Sequence, residues 1–343
     1  MFGMKQKQNS GDGSLNIQAK QVNVGLTYSD VRQVAMDVFE GSFQRLSETA
    51  SKIARSRAEE LLDSYLKELE KNSPNSLKET QNPDMQYTIL TAQKEYARSG
   101  NKDLGDLLVQ LLVDRSHEDK QGLMQIVLNE SLDVAPKLTP DQLDVLSLLF
   151  ILKYTKKHHV LNFDSLCWYI ENYLLPFLTN LNKKQSTYQH LEFASCGNIT
   201  LGSLTIESIF LSNYHGLFIK GITKEELEPI PDRALDLIVP SLHDSNKFQV
   251  SAIDEKVLEK SLKDREIIDN DASRVKTIFS MGRMSEPEVK DFLLTLKPQL
   301  GTLFDVWENS PMKYMTLTSV GIAIGHANIQ RKTGMKFDLT MWI

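Results

Sequence analysis

From Val31 to Leu69, apolar residues recur at gaps of three and four: Val31, Val34, Val38, Phe39, Phe43, Leu46, Ala50, Ile53, Ala54, Ala58, Leu61, Leu62, Tyr65, Leu66 and Leu69. That spacing places them on one side of a helix. Thr27 or Ser29 can cap its start, with Asp30 in the first turn, and Asn72-Ser73-Pro74 ends it. Unbroken, such a helix would span about 66 Å at ~1.5 Å per residue. Either Gly41-Ser42 interrupts it, or it packs as a bundle or coiled coil. The stripe drifts and keeps no strict heptad, so packing on the chain's own body is expected ahead of a coiled-coil dimer.

Ahead of this helix lies a short arm. Leu15, Ile17 and Ala19 alternate with polar residues, and Val22 and Val24 continue the alternation on the opposite parity. Period two is the mark of a half-buried strand, and the parity flip implies a bulge near Lys20-Gln21. So small a β element cannot satisfy its own backbone and needs a partner edge. A second copy of the chain can supply one, with Asn16 and Asn23 stacked as side-chain ladders. The residues expected to carry self-association are therefore Leu15, Asn16, Ile17, Ala19, Val22, Asn23 and Val24, followed by Phe39 and Phe43 on the helix.

The remainder divides by punctuation. The expected divisions are a tail and arm at 1–26, the amphipathic helix at 27–74, a helical domain at 84–182, a mixed connecting segment at 183–246 and a small α+β domain at 247–343. Within the helical domain, helices are expected at Met85–Arg98, Leu104–Val113, Leu123–Val134, Gln142–Tyr154 and Asn162–Leu181. Thr139-Pro140-Asp141 opens the fourth with a cap, a proline and an acid. Phe193–Ile206 reads as β-like, and a helix is expected at Arg233–Val239. Strands are expected at Phe248–Ile253, Tyr314–Leu317 and Phe337–Ile343, with a helix over Val320–Arg331 capped by Thr318 and stopped by Gly334. The fold class is thus mainly α, with a β arm and a small C-terminal α+β part.

At 343 residues the chain has ample length for a core, and 41% hydrophobic with 24% charged residues is ordinary for a globular protein. A net charge of -6 speaks against a general nucleic-acid coat. Cys167 and Cys196 form no Cys-x-x-Cys, which fits reduced thiols in a cytosol. The polar N-terminus has no signal-peptide core, and the apolar runs are too short for a bilayer, so a cytoplasmic protein without membrane contact is expected.

No phosphate-cradling loop, nucleophile elbow or His-Glu-x-x-His is present. No catalytic residue, cofactor or metal is therefore expected. Asp232 with Glu288 and Lys290 makes a poor nuclease set, because the acids are far apart and Glu288 opens a helix. His243-Asp244 is half of a metal signature with no companion cluster. The cationic cluster Lys153, Lys156 and Lys157 beside His158-His159 sits at a helix C-terminus, where positive charge is favourable in any case. Together with Arg331, Lys332 and Lys336, in a region loosely like the wing of a winged helix, it gives a candidate nucleic-acid contact.

Gly11-Asp-Gly-Ser-Leu-Asn-Ile-Gln-Ala19 resembles the Asn-Ile-Gln-Ala arm of a family of uncharacterised bacterial proteins. The runs Leu104-Gly-Asp-Leu-Leu-Val, Val127-Leu-Asn-Glu-Ser, Leu138-Thr-Pro-Asp-Gln and Leu317-Thr-Ser-Val-Gly321 are similar to the same family. The resemblance implies a bacterial cytosolic protein tied to anti-phage defence, with a protein partner encoded nearby, and it carries no catalytic residues. The leading expectation is a homo-oligomeric sensor or adaptor. A nucleic-acid-binding regulator stands second and a divergent metal-dependent nuclease third.

Overall fold

The computed structural model describes residues 28–42, 47–72, 74–118, 122–227, 230 and 232–343. The arm residues Leu15 to Val24, and Phe43, lie outside these.

The long amphipathic pattern folds as two helices, α1 (Tyr28–Ser42) and α2 (Glu48–Asn72). They run antiparallel: Tyr28 and Arg32 at the start of α1 reach Asp63, at 3.3 and 2.9 Å, while Glu40 near its end pairs with Arg55 at 3.1 Å. A glycine and a serine at the end of α1 weaken helix propagation there. Folding back buries Val31, Met36 and Phe39 in one core with Ala54, Ala58, Leu61 and Leu62. The extended coiled-coil rod is thereby replaced by a helical hairpin. Phe39 is 1% exposed inside its own subunit and presents no surface to a second copy.

Four helices follow: α3 (Pro83–Ser99), α4 (Lys102–Arg115), α5 (Leu123–Val134) and α6 (Pro140–Leu149). Asn82 caps α3 and Gly100, at φ 61°, ends it. Thr139 and Gln142 close a capping box on α6, as their spacing predicts. One π-helical turn at Phe150–Tyr154 extends α6, and another at Ile170–Leu174 extends α7 (Phe163–Tyr169). The single helix expected to Leu181 instead passes into a 3-10 turn at Leu175–Phe177, because Pro176 cannot continue it. After α8 (Gln185–Phe193) comes β1 (Gly197–Ile199), so the β-like reading from Phe193 reduces to three residues. Next are α9 (Ile206–Asn213), α10 (Lys224–Leu227), β2 (Ile238–Pro240) and β3 (Phe248–Val250). Where a helix was expected at Arg233–Val239, the chain makes a 3-10 turn over Asp232–Leu237 and then enters β2. The chain closes with α11 (Glu255–Asp264), α12 (Asp269–Ser280), α13 (Glu286–Leu296), α14 (Leu300–Glu308), β4 (Met315–Leu317) and α15 (Ser319–Thr333).

The last helix is the centre of the molecule. Residues Gly321 to Ile329 are buried on every side, and α15 packs against α4, α5 and α6. A helix apolar all round must lie inside a fold. Thr318 caps it by accepting from Gly321 N, and Gly334 stops it at φ 71°. Two glycines let it approach backbone: a Cβ at Gly321 would fall on the Cys196 carbonyl, and one at Gly325 would lie 2.9 Å from the Leu146 carbonyl oxygen.

Both sheets are two-stranded and antiparallel. β1 pairs with β4 (Gly197 opposite Leu317), and β2 pairs with β3 (Ile238 opposite Val250). Two hydrophobic cores result. The larger contains residues from Val31 to Phe218 and again from Met284 to Leu339. The smaller gathers Ile222, Leu237, Val250, Leu258, Val275 and Phe279 among others. The segment 247–343 is therefore split: β3, α11 and α12 belong to the small core, while α13 to α15 return to the large one. The reason is that α15 has no exposed face and needs α4 to α6 around it.

The alternating C-terminus is not a strand. It is extended chain with a 3-10 turn at Leu339–Met341. Phe337 and Trp342 both pack on Phe150, at ring distances of 6.0 and 4.9 Å, and Trp342 Nε1 donates to the Tyr154 carbonyl. Phe337 and Trp342, on opposite parities of the pattern, anchor the segment without any partner strand, and the winged-helix likeness loses its second strand.

Candidate functional site

The α1 face that points away from the core is the first candidate. Val34 and Val38, one turn apart, are each 40% exposed, and buried Val31 and Phe39 flank them at the edge of the core. A small crevice of about 10 Å³ opens beside them, lined by Val31, Val34, Ala35 and Val38 from α1 and by Thr80, Gln86 and Ile89 from the turn before α3 and from α3 itself. Ile53 on α2 is 49% exposed and Tyr87 on α3 is 69% exposed. This face belongs to the helix that the arm leads into.

The six cations singled out by sequence do not form a patch. Lys153 donates to the carbonyls of Lys313 and Met315, at 2.9 and 2.8 Å, and lies over the Trp307 ring. Burial pushes its ammonium down to about 8. Lys156 forms an ion pair with Asp254, the cap of α11, and its pKa too is lowered, by burial and then by Lys256. Lys157 is held between the Tyr173 and Phe337 rings, 4.3 and 4.1 Å from their centroids, and burial takes it to about 8. Lys332 pairs with Asp144 at 2.6 Å, and Arg331 with Asp103 at 2.6 Å. Only Lys336 of the six is exposed to solvent. Lys153 of the π turn and Lys156 just after it thus anchor the end of α6 to β4 and to α11.

A cleft of about 420 Å³ opens between the two cores, bounded by Lys156–Leu161, Gly216-Leu217, Gln249 and Asp254. Its volume lies at the low end for small-molecule sites. Three of its polar side chains are engaged: Lys156 with Asp254, and Gln249 with the Gly216 carbonyl and the Leu242 amide. His243 Nε2 donates to the Leu217 carbonyl, which gives that histidine a structural place.

The nuclease set is dispersed. Glu288 closes the α13 capping box and pairs with Lys220, and these contacts hold its carboxyl down at about 2. Lys290 pairs with Glu308, and Asp232 begins a 3-10 turn elsewhere. Among the described residues, no group of three or more His, Cys, Asp or Glu is placed to hold a metal. No described helix is long and apolar enough to cross a membrane.

The strongest polar features were not singled out from sequence. Asp144 is 1% exposed among α6 leucines, and Arg115 is 1% exposed at the end of α4. His326 is 1% exposed on α15. The available signal was a charged or imidazole side chain within an apolar helical stretch, as in Leu143-Asp144-Val145 and Gly325-His326-Ala327.

A family model described as ":-like" matches residues 25–343. The chain belongs to that uncharacterised family. The match covers the whole described body and begins just after Val24, so the arm stands outside it. No curated protein and no solved structure matches the chain.

Proposed function

We propose that this protein is an interaction module that assembles with copies of itself, acting as a sensor or adaptor. The observation that carries the reading is the exposed Val34–Val38 stripe on the helix immediately after the arm. The occupant proposed for the exposed Val34–Val38 stripe of α1 is residues 15–24 of a second copy. Leu15, Ile17 and Ala19 offer one apolar side of an extended segment, and a ten-residue segment of this kind reaches ~33 Å, more than the ~22 Å of α1. Pairing between arms satisfies backbone groups that a single arm leaves open. A place in bacterial anti-phage defence is supported by the resemblance of the arm and of the runs from Leu104, Val127, Leu138 and Leu317, and a place in the cytoplasm by that resemblance with the unpaired cysteine pattern.

The nucleic-acid reading is the weaker one, because five of its six cations are used within the fold. The discriminating experiment is light scattering on the full chain, on a form lacking residues 1–26, and on Val34→Asp/Val38→Asp. The proposal expects a multimer that shrinks in both altered forms while helical circular dichroism is retained. A full-length monomer overturns it. So does a multimer that neither change affects.

A further inference from the structure

Apart from the crevice, the cleft and the surface cations, one cluster of buried polar atoms lacks partners. It lies where the end of α4, the last turns of α15 and the C-terminal segment enclose a cavity of about 260 Å³. Three atoms lining it have no hydrogen-bond partner among the described residues: Asp114 Oδ2, His326 Nδ1 and Gln330 Oε1. Leaving such groups buried and unpaired costs about 1–3 kcal/mol each, so their convergence in one cavity calls for a ligand.

The chemistry of that ligand follows from the atoms. His326 Nε2 lies 3.1 Å from the Phe337 carbonyl, which only accepts, so Nε2 carries the proton. In the neutral ring this leaves a lone pair on Nδ1. Asp114 supplies a carboxylate oxygen and Gln330 an amide oxygen, one helical turn from His326 on α15. All three are acceptors, so the ligand is a cation or a multiple donor.

Distance selects between these. His326 Nδ1 and Asp114 Oδ2 are 3.5 Å apart. Two ligands of one tetrahedral zinc-type ion, with bonds of ~2.0–2.1 Å, stand about 3.3 Å apart. A water or ammonium bonded to both through ~2.8 Å legs would hold them about 4.5 Å apart. Ring N–H donation to a backbone carbonyl is also the usual support of a metal-binding histidine, since it fixes the tautomer and aims the free nitrogen.

We propose that Asp114, His326 and Gln330 bind a divalent transition-metal ion of the zinc type, with its remaining coordination open to the cavity. An amide oxygen is a weak third ligand, so the site is one of modest affinity. The main rival is a doubly protonated His326 that closes onto Asp114 as an ion pair; this leaves Gln330 Oε1 unanswered. The site is independent of the self-assembly reading.

The test is titration of the full-length protein with cobalt(II), followed by its visible d–d bands, and with zinc(II) by calorimetry. The wild type is expected to bind a single saturating equivalent. Asp114→Asn should weaken binding by about tenfold or more. Gln330→Glu, which adds a carboxylate at a half-exposed position, should tighten it by a similar factor, and this variant remains informative if Asp114→Asn folds poorly. Absence of saturable binding by the wild type overturns the proposal. So does binding that neither variant changes, which would mark surface imidazoles such as His158 and His159 as the ligands.

Discussion

Lys332 Nζ stands 2.6 Å from Asp144 Oδ1, although the two residues are 188 positions apart in sequence. The Asp144 side chain is 1% exposed. Asn328 and Asn180 add donors at 3.4 and 3.2 Å, and the Lys332 ammonium also reaches the Pro176 carbonyl. This pair fastens α15 to α6. Its removal from one side is the costly change, because the other charge stays buried. Lys332→Met should destabilise the protein by about 3–5 kcal/mol. Lys332→Met with Asp144→Leu should recover most of that loss. Urea midpoints at constant slope measure both, and equal losses in the single and double variants would refute the account.

Glycine at 321 is required by closeness, not by dihedral angle. Gly321→Ala places a methyl group on the Cys196 carbonyl, next to the β1–β4 pairing. A destabilisation of about 1–3 kcal/mol or more is expected. Gly301→Ala on α14 meets nothing nearer than Leu294 Cδ2 at 3.9 Å and should instead gain about 0.5–1 kcal/mol from helix propensity. Thermal unfolding of the two variants checks the contrast in sign.

Burial pushes Lys153 and Lys157 to about 8 in the folded protein, against ~10.4 in an unfolded chain. Between these values the unfolded state binds more protons, so stability rises with pH. Unfolding free energy should therefore climb from about pH 8 to 10. Above that the trend should reverse, because burial raises Tyr65, Tyr188 and Tyr214 to about 12, and the folded state then holds the extra protons. Denaturant titrations across this range read the slope, which Lys153→Met/Lys157→Met should flatten. An unchanged slope in that variant would be the contrary result.

Arg115 is a three-way connector. It donates to Asp84 Oδ2 at 2.5 Å, Asn129 Oδ1 at 2.9 Å and the Glu118 carbonyl at 2.9 Å. Burial opposes ionisation of Asp84, but bonds from Arg115, Asn129 and Gln125 outweigh it and hold the carboxyl below its usual range. Lysine cannot reproduce the planar fork. Arg115→Lys should cost about 1–3 kcal/mol, because it strips buried acceptors of donors. A chemical-denaturation midpoint equal to the wild type would exclude this role.

Local grammar was legible where it acts locally. Thr139-Pro140-Asp141, Glu288, and Thr318 with Gly334 bound helices where their chemistry requires. The helical character of the body, and much of the core of α3 to α6, followed from spacing. What misled was pattern without context. The alternating segment Phe337–Ile343 is held by Phe337 and Trp342 packing onto Phe150 and not by a partner strand, and the cationic cluster at Lys153–Lys157 is drawn inward by carbonyls and rings from other elements.

By itself, the sequence determined the helical character of most of the chain and the helix ends that carry a cap, a proline or a glycine stop, because capping, proline and periodicity act within a few residues. The tertiary structure alone decided that α1 folds back on α2, that α15 lies at the centre, that Asp144 meets Lys332, and that Asp114, His326 and Gln330 share a cavity. Those relationships join residues that can lie more than two hundred positions apart, and no local energy term contains them. They exist only once burial has brought the elements together.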